Sequence, residues 1–239
     1  MPRFYCNMPL ASGEIIELPP DAAHHLHVLR LAADESFTLF NGEGGEYTAR
    51  LASIEKKRAY AEILSFSSRE AELAYAVTIA QALPESSKMD WIVEKAVELG
   101  AAAIQPILSQ RCVVRLSGER AEKRLAHWQK IIVAASEQCG RNRLARLHDL
   151  ADFKNWISQP VQKTLLLSPR ASLSLSGWAS GKQQQALTLM IGPEGGFTTI
   201  EEDLALSKGA QLVSMGSRIL RTETAGMSAL ATLTAIWGI

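Results

Sequence analysis

The 239-residue sequence predicts an α/β protein in two parts, a small β-barrel over residues 1–70 and a parallel-sheet domain over 71–239. Three observations predict this. The first seventy residues carry short strand-like runs around a glycine-rich turn, at the spacing of a small barrel. From about residue 72, strand and helix patterns alternate, the arrangement that buries a parallel sheet between helices. The composition is globular: 47% hydrophobic and 21% charged, with 25 basic residues against 25 acidic.

In the first part the strand-like runs are 13–18, 37–40, 46–54 and 58–66. Asn41-Gly42-Glu43-Gly44-Gly45 between the middle two is a hairpin signal. A short helix is expected at 21–31, with Asp21 as its N-cap. His24, His25 and His27 on it read as a surface cluster rather than a metal site.

In the second part, 76–83 is an apolar strand. Ser87-Lys88-Met89-Asp90 resembles a capping box. Met89, Ile92, Val93, Ala96 and Leu99 then form one stripe at helical spacing, and Gly100 closes the helix. A strand at 102–108, a long helix at 117–138, apolar runs at 164–167, 186–191 and 211–215, and a last helix at 222–237 complete the pattern. The serine-rich stretch 168–180 reads as a loop.

The balanced charge names no partner. No apolar run approaches the roughly 18 residues of a membrane span. The start lacks the apolar core of a signal peptide. Three widely spaced cysteines without a CxxC point to a reduced cytosol. One stretch departs from neutrality. Arg111, Arg115, Arg120, Lys123, Arg124, Lys130, Arg141, Arg143 and Arg146 face only Glu119, Glu122 and Glu137. A polyanion footprint and a solvated helix face both account for it.

Two loops carry the chemistry. Ile191-Gly192-Pro193-Glu194-Gly195-Gly196-Phe197-Thr198 follows a strand and opens a helix, where open α/β sheets place ligands. Pro193 and Gly195 suit a type I turn, Gly196 permits close backbone approach, and Thr198 with Glu201 forms a capping box. The spacing matches neither dinucleotide fingerprint nor P-loop. Glu201, Glu202 and Asp203 occupy the seat a pyrophosphate would want, so nucleotide phosphates are disfavoured. A phosphate-free nucleoside with a positive sulfonium, S-adenosylmethionine, is compatible, as is a purely structural turn. The second loop, Met215-Gly216-Ser217-Arg218-Ile219-Leu220-Arg221-Thr222-Glu223-Thr224-Ala225, sets two arginines and a glutamate among apolar residues before the last helix. That helix is small and apolar on most sides, which favours a subunit interface.

Lys95-Ala96-Val97-Glu98-Leu99-Gly100, Glu137-Gln138-Cys139-Gly140-Arg141-Asn142 and the two loops occur in order. Together they resemble the RsmE family of 16S ribosomal RNA uridine N3-methyltransferases, over essentially the whole chain. The departures, such as Met215 where the family commonly has Leu, keep an apolar wall. The resemblance implies a SPOUT-type trefoil-knotted parallel-sheet domain behind a PUA-like β-barrel that helps hold RNA. It also implies a cytoplasmic homodimer acting on the small ribosomal subunit, with S-adenosylmethionine as cofactor and no metal. Ile191, Gly192, Gly195, Gly196, Met215, Gly216, Ile219 and Leu220 would line the cofactor pocket, closed by Leu167, Ser168 and Pro169. Arg221 is the candidate for the uracil oxygens or a phosphate, with a salt bridge to Glu223 or Glu194 as the alternative. Glu223 is either the base or a structural carboxylate at the helix start. Arg30, Arg141 and Arg143 are the RNA-contact candidates.

Two other readings stay open. One is a methyltransferase of the same fold acting on transfer RNA or a ribose oxygen. The other is a non-catalytic RNA-binding assembly factor.

Overall fold

The computed structural model describes residues 1–55, 58–85, 88–159 and 163–238. The chain forms two units: Met1–Glu72 with Ser136–Leu144, and Leu73–Ala135 with Ala145–Ile239.

The first unit contains β1 (Arg3–Tyr5), β2 (Ile15–Glu17), α1 (Pro20–Leu29), β3 (Ser36–Phe40), β4 (Glu46–Ile54) and β5 (Ala59–Ser67). They form a five-stranded sheet in the order β1-β3-β4-β5-β2, in which β1 runs parallel to β3 and the other pairs are antiparallel. Alternate residues of β4 and β5 (Ala49, Leu51, Ala59, Ala61, Ile63) are fully buried against Phe4, Phe37, Leu39 and Leu26 of α1. This period-two burial is what one face of a half-covered sheet requires. Three-residue β1 is too short to show a period. It is held by side chains from Ser136–Leu144 and from β4: the Tyr5 N–H donates to Glu137 at 2.9 Å, and Arg3 donates to Asn142 and to Glu46 of β4. Cys6, buried beside it, has its thiol pushed up to about 12 by burial and by the Glu137 charge, which leaves it inert.

Asp21 is not the N-cap of α1. The helix starts one residue earlier, with Pro19 at the cap, Pro20 inside the first turn and no side-chain cap bond. Proline lacks the N–H that a cap would satisfy and sets φ for the first turn, so Pro19-Pro20 starts the helix without Asp21.

The second unit runs β6 (Val77–Ala82), α2 (Lys88–Glu98), β7 (Ala103–Leu108), α3 (Gly118–Cys139, whose last turn belongs to the first unit), β8 (Arg146–Leu147), β9 (Ala151–Asp152), α4 (Phe153–Ile157), β10 (Lys163–Leu167), α5 (Leu175–Ala179), β11 (Leu187–Ile191), α6 (Thr199–Ser207), β12 (Gln211–Val213) and α7 (Thr222–Trp237). Every strand pair in its sheet is parallel, in the order β12-β10-β11-β6-β7-β8, with β9 also on β7. The predicted stripe of α2 is buried at Met89, Ile92, Val93 and Ala96, and Leu99 is half-buried. Gly100 follows at φ +88°, the left-handed position that ends such a helix. The capping-box reading at Ser87 falls outside the described residues. The stretch 168–180 is not all loop. Ser174 caps α5, accepting from the Gly177 N–H at 3.1 Å, and Leu175, Trp178 and Ala179 are buried. Five residues are less than two helical turns, so the pattern carries too few apolar repeats to announce a helix.

This strand order positions the site. β12, β10 and β11 are neighbours, so the chain leaves the same edge of the sheet three times, after Leu167, Ile191 and Val213. Parallel strands put all three exits at one end, and three loops far apart in sequence meet there.

Candidate active site

These loops enclose a cavity of about 460 Å³. Leu167, Ser168 and Pro169 come from the first exit, Ile191 to Phe197 from the second, and Met215 with Arg218 to Glu223 from the third. A cavity of this size falls in the range of small-molecule sites. Of the eleven residues expected to hold a cofactor, ten line it; Gly216 does not, and its φ of +101° makes it a turn residue of the third loop. Lys88, Pro193, Glu194, Phe197, Glu202, Arg218, Thr222 and Ala225 also line the cavity and were not singled out as cofactor residues by the sequence.

The glycine loop is folded against itself. A Cβ on Gly192 would sit 3.0 Å from Gly196 Cα and 3.1 Å from the Phe197 nitrogen, so any side chain there requires the loop backbone to give by a few tenths of an ångström. Gly196 takes φ +66°. Arg111 Nη1 donates to the Gly195 carbonyl at 2.7 Å and to that of Phe197 at 3.3 Å, fixing the loop from outside. Beneath it, buried Gln81 of β6 donates through Nε2 to Thr222 Oγ1 at 2.9 Å, and that hydroxyl donates to the Gly192 carbonyl at 2.6 Å. Three residues distant in sequence thus tie the second loop to the start of α7. A lone glutamine in an apolar strand gave no sequence signal of this.

The capping box forms as expected: Thr198 accepts from the Glu201 N–H at 3.2 Å, and Glu201 accepts from the Thr198 N–H at 2.9 Å. Glu201 is also 8% exposed and accepts from the Gln110 N–H at 2.7 Å, so its charge is used internally. Glu202, also on the cavity wall, pairs with Arg170. Thr198→Ala is expected to lower stability by about 1 kcal/mol in chemical denaturation, the usual cost of a lost cap.

Charge at the mouth is arranged differently from either expected pairing of Arg221. Glu194 is engaged by Lys88 Nζ at 2.6 Å and by the Glu85 N–H at 3.1 Å. Burial pushes the Glu194 carboxyl up, but these donors outweigh it and hold it below the usual carboxylate range. Arg221 lies exposed at the cavity, with no ion-pair partner among the described residues. Glu223, on the first turn of α7, keeps Oε2 buried with no hydrogen-bond donor among the described residues. A carboxylate oxygen buried beside a cavity without a donor favours a ligand that brings a proton or a positive charge.

Comparison with known proteins places this geometry. Residues 71–234 match the family model described as an RNA methyltransferase domain, and residues 18–64 match an RNA methyltransferase PUA domain. The chain is 36% identical to the ribosomal RNA small subunit methyltransferase E of Synechocystis sp., over 95% of this chain and 76% of that protein. The chain belongs to this methyltransferase E family. The Bacillus subtilis family member is 30% identical over 98% of this chain and 96% of its own length. Among solved structures, the methyltransferase E of Neisseria gonorrhoeae bound to S-adenosyl methionine superposes with a TM-score of 0.92 at 39% identity, covering 99% and 98% of the two chains. The putative methyltransferase Lpg2936 of Legionella pneumophila, in complex with the bound cofactor SAM, gives 0.92 at 34% identity over 98% and 96%.

The three arginines expected to contact RNA sit differently from one another. Arg30 ends α1 at φ +55° and is exposed. Arg143 is half-exposed, with its Nε 3.5 Å from Glu70. Arg141 is buried, 3% exposed, and donates from Nε and Nη2 to both oxygens of Glu72. That bidentate pair holds the 136–144 segment to the first unit, so Arg141 offers no face to RNA. The basic stretch is similarly divided. Arg111 and Arg115 bond backbone carbonyls and Lys123 pairs with Glu119, while Arg120, Arg124 and Lys130 of α3 stay exposed.

Proposed function

We propose that this chain transfers a methyl group from S-adenosylmethionine to N3 of a uridine in small-subunit ribosomal RNA. The observation that carries it is the three-loop cavity, apolar at Leu167, Ile191, Met215 and Leu220, with the Glu223 oxygen at its edge left without a donor among the described residues. The cavity fits a nucleoside carrying a sulfonium. Its glycine turn brings backbone close, and its wall carries the carboxylates of Glu194, Glu202 and Glu223 as well as the cations Lys88, Arg218 and Arg221. When bound, the cofactor supplies an electrophilic methyl whose leaving group departs as a neutral thioether.

The chain's own residues address the harder half of the reaction. Uracil N3 carries a proton at neutral pH, and its removal spreads negative charge onto the flanking carbonyl oxygens. In this reading Glu223 accepts that proton, and Arg221, with no ion-pair partner among the described residues, meets the oxygens. Holding N3 in line with the methyl supplies much of the remaining acceleration. Because N3 lies on the pairing edge, the target uridine must be unpaired or extruded.

In this reading residues 71–239 carry the methyl transfer, with the knotted path of the SPOUT folds, and residues 1–70 help hold the RNA. The enzyme works in the cytoplasm as a homodimer. Exposed Ala231, Ala235 and Ile236 of α7 support a subunit contact there. No helix among the described residues is long and apolar enough to cross a membrane. Calorimetric titration with S-adenosylmethionine is expected to show one saturable site; no heat at saturating cofactor would favour a binding module with a dead pocket.

A further inference from the structure

The β3–β4 hairpin carries two adjacent glycines, and each lies under a flat side chain. A Cβ on Gly45 would fall 2.4 Å from the ring of Phe66, and one on Gly44 would fall within 3 Å of the Arg143 guanidinium. The ring and the guanidinium therefore rest on neighbouring residues of one turn, all within the first unit. Phe66 is the direct cross-strand partner of Tyr47, with ring centroids 4.9 Å apart, so the ring is supported from the side. Glu70 fixes the rest. Its Oε1 accepts from the Gly45 N–H at 2.9 Å and lies 3.5 Å from Arg143 Nε. Phe66 is nonetheless 52% exposed and the Arg143 side chain 54% exposed. A hydrophobic ring would ordinarily be turned inward; here the hairpin and its neighbours hold it outward beside a cation.

We propose that Phe66 and Arg143 form a nucleotide-docking step, on which an unpaired base of the RNA stacks against the ring while its phosphate meets the guanidinium. The inference rests on the reading of the chain as an RNA methyltransferase and adds a site to it, on the first unit. An aromatic face with an adjacent arginine suits single-stranded nucleic acid. Every base has a π-face for the ring, and phosphate geometry matches the fork of the arginine. Gly44 and Gly45 are the sequence's contribution, since any side chain there would displace one of the two planar groups.

The test compares a labelled oligouridylate with an abasic ribose-phosphate oligomer of the same length, by fluorescence anisotropy on the full chain. The intact enzyme is expected to hold the oligouridylate about tenfold more tightly, the increment of one stacked base. Phe66→Leu, which keeps an apolar cover on Gly45, should bring the two oligomers to within about twofold, and Phe66→Tyr should restore the difference. Arg143→Ala should weaken both oligomers alike and lower the salt slope by about one. S-adenosylmethionine calorimetry on each variant confirms that the fold is intact. Equal affinity of the intact enzyme for both oligomers, or an unchanged preference in Phe66→Leu, overturns the proposal. So does a Phe66→Leu variant that keeps its RNA preference but changes its sedimentation, which makes the patch a protein contact. Failure of the intact chain to methylate small subunits strikes the catalytic reading instead and leaves the stacking result to stand or fall by itself.

Discussion

Arg221→Ala is expected to lower kcat by about 100-fold while moving the dissociation constant for S-adenosylmethionine by no more than about twofold. The expectation follows from where the guanidinium stands. Arg221 is exposed at the cavity rim, and Glu194, which could have neutralised it, is already held by Lys88 and the Glu85 N–H. A cation beside a cavity, with no ion-pair partner among the described residues, is available for charge that appears only as N3 loses its proton. Removing such a donor costs transition-state stabilisation rather than ground-state binding. Arg221→Lys keeps the charge but not the fork, and should recover only part of the rate. Pre-steady-state methyl transfer on small subunits, set beside cofactor calorimetry, reads the two quantities separately. Turnover equal to that of the intact enzyme would remove Arg221 from the catalytic group.

Gly192→Ala is expected to have the opposite signature, loss of cofactor affinity by about 30-fold. The added methyl would meet Gly196 Cα, Gly196 C and the Phe197 nitrogen at 3.0–3.2 Å. All three are backbone atoms, so no rotamer change relieves the contact, and the second loop itself has to shift by a few tenths of an ångström against its floor. That floor is the Thr222 hydroxyl bonded to the Gly192 carbonyl, with Gln81 behind it. Shifting the loop therefore disturbs the start of α7 as well, and with it Glu223. Gly181→Ala is the control: no atom lies within 4 Å of its Cβ, and it should leave affinity unchanged. Calorimetric titration of both variants decides this; a Gly192→Ala variant that binds S-adenosylmethionine normally would mean the loop is not packed as described.

Local signals in the sequence foretold the parts of the fold that have a period. The bounds of β4 and α7 match the sequence reading residue for residue, because nine and sixteen residues give alternation or apolar content enough to count. The three-residue β1, the two-residue β8 and β9, and the five-residue α4 and α5 were invisible for the converse reason. The start of α1 was misplaced because Asp21 is a stronger textual cap than Pro19, although proline geometry decided the start. At the site, the glycine turn was legible because φ +66° at Gly196 calls for glycine and the loop at Gly192 leaves little room for a side chain. The Lys88–Glu194 pair and the Gln81–Thr222–Gly192 chain were not, since each joins residues some 30 to 140 positions apart whose meeting depends on strand order. Arg141 shows the limit most plainly. In a basic run it reads as a surface cation, and the pair with Glu72, far away in sequence, draws it inward.

The proposed reaction at this one cavity is methyl transfer to uridine N3. Unmodified small ribosomal subunits incubated with the enzyme and S-adenosylmethionine carrying a labelled methyl, followed by complete digestion of the RNA, would test it most directly. The label is expected in N3-methyluridine alone, lost in Arg221→Ala and faint when a short free oligonucleotide replaces the subunit. Label on a ribose oxygen or on another base, or no label beside full cofactor binding, would contradict it.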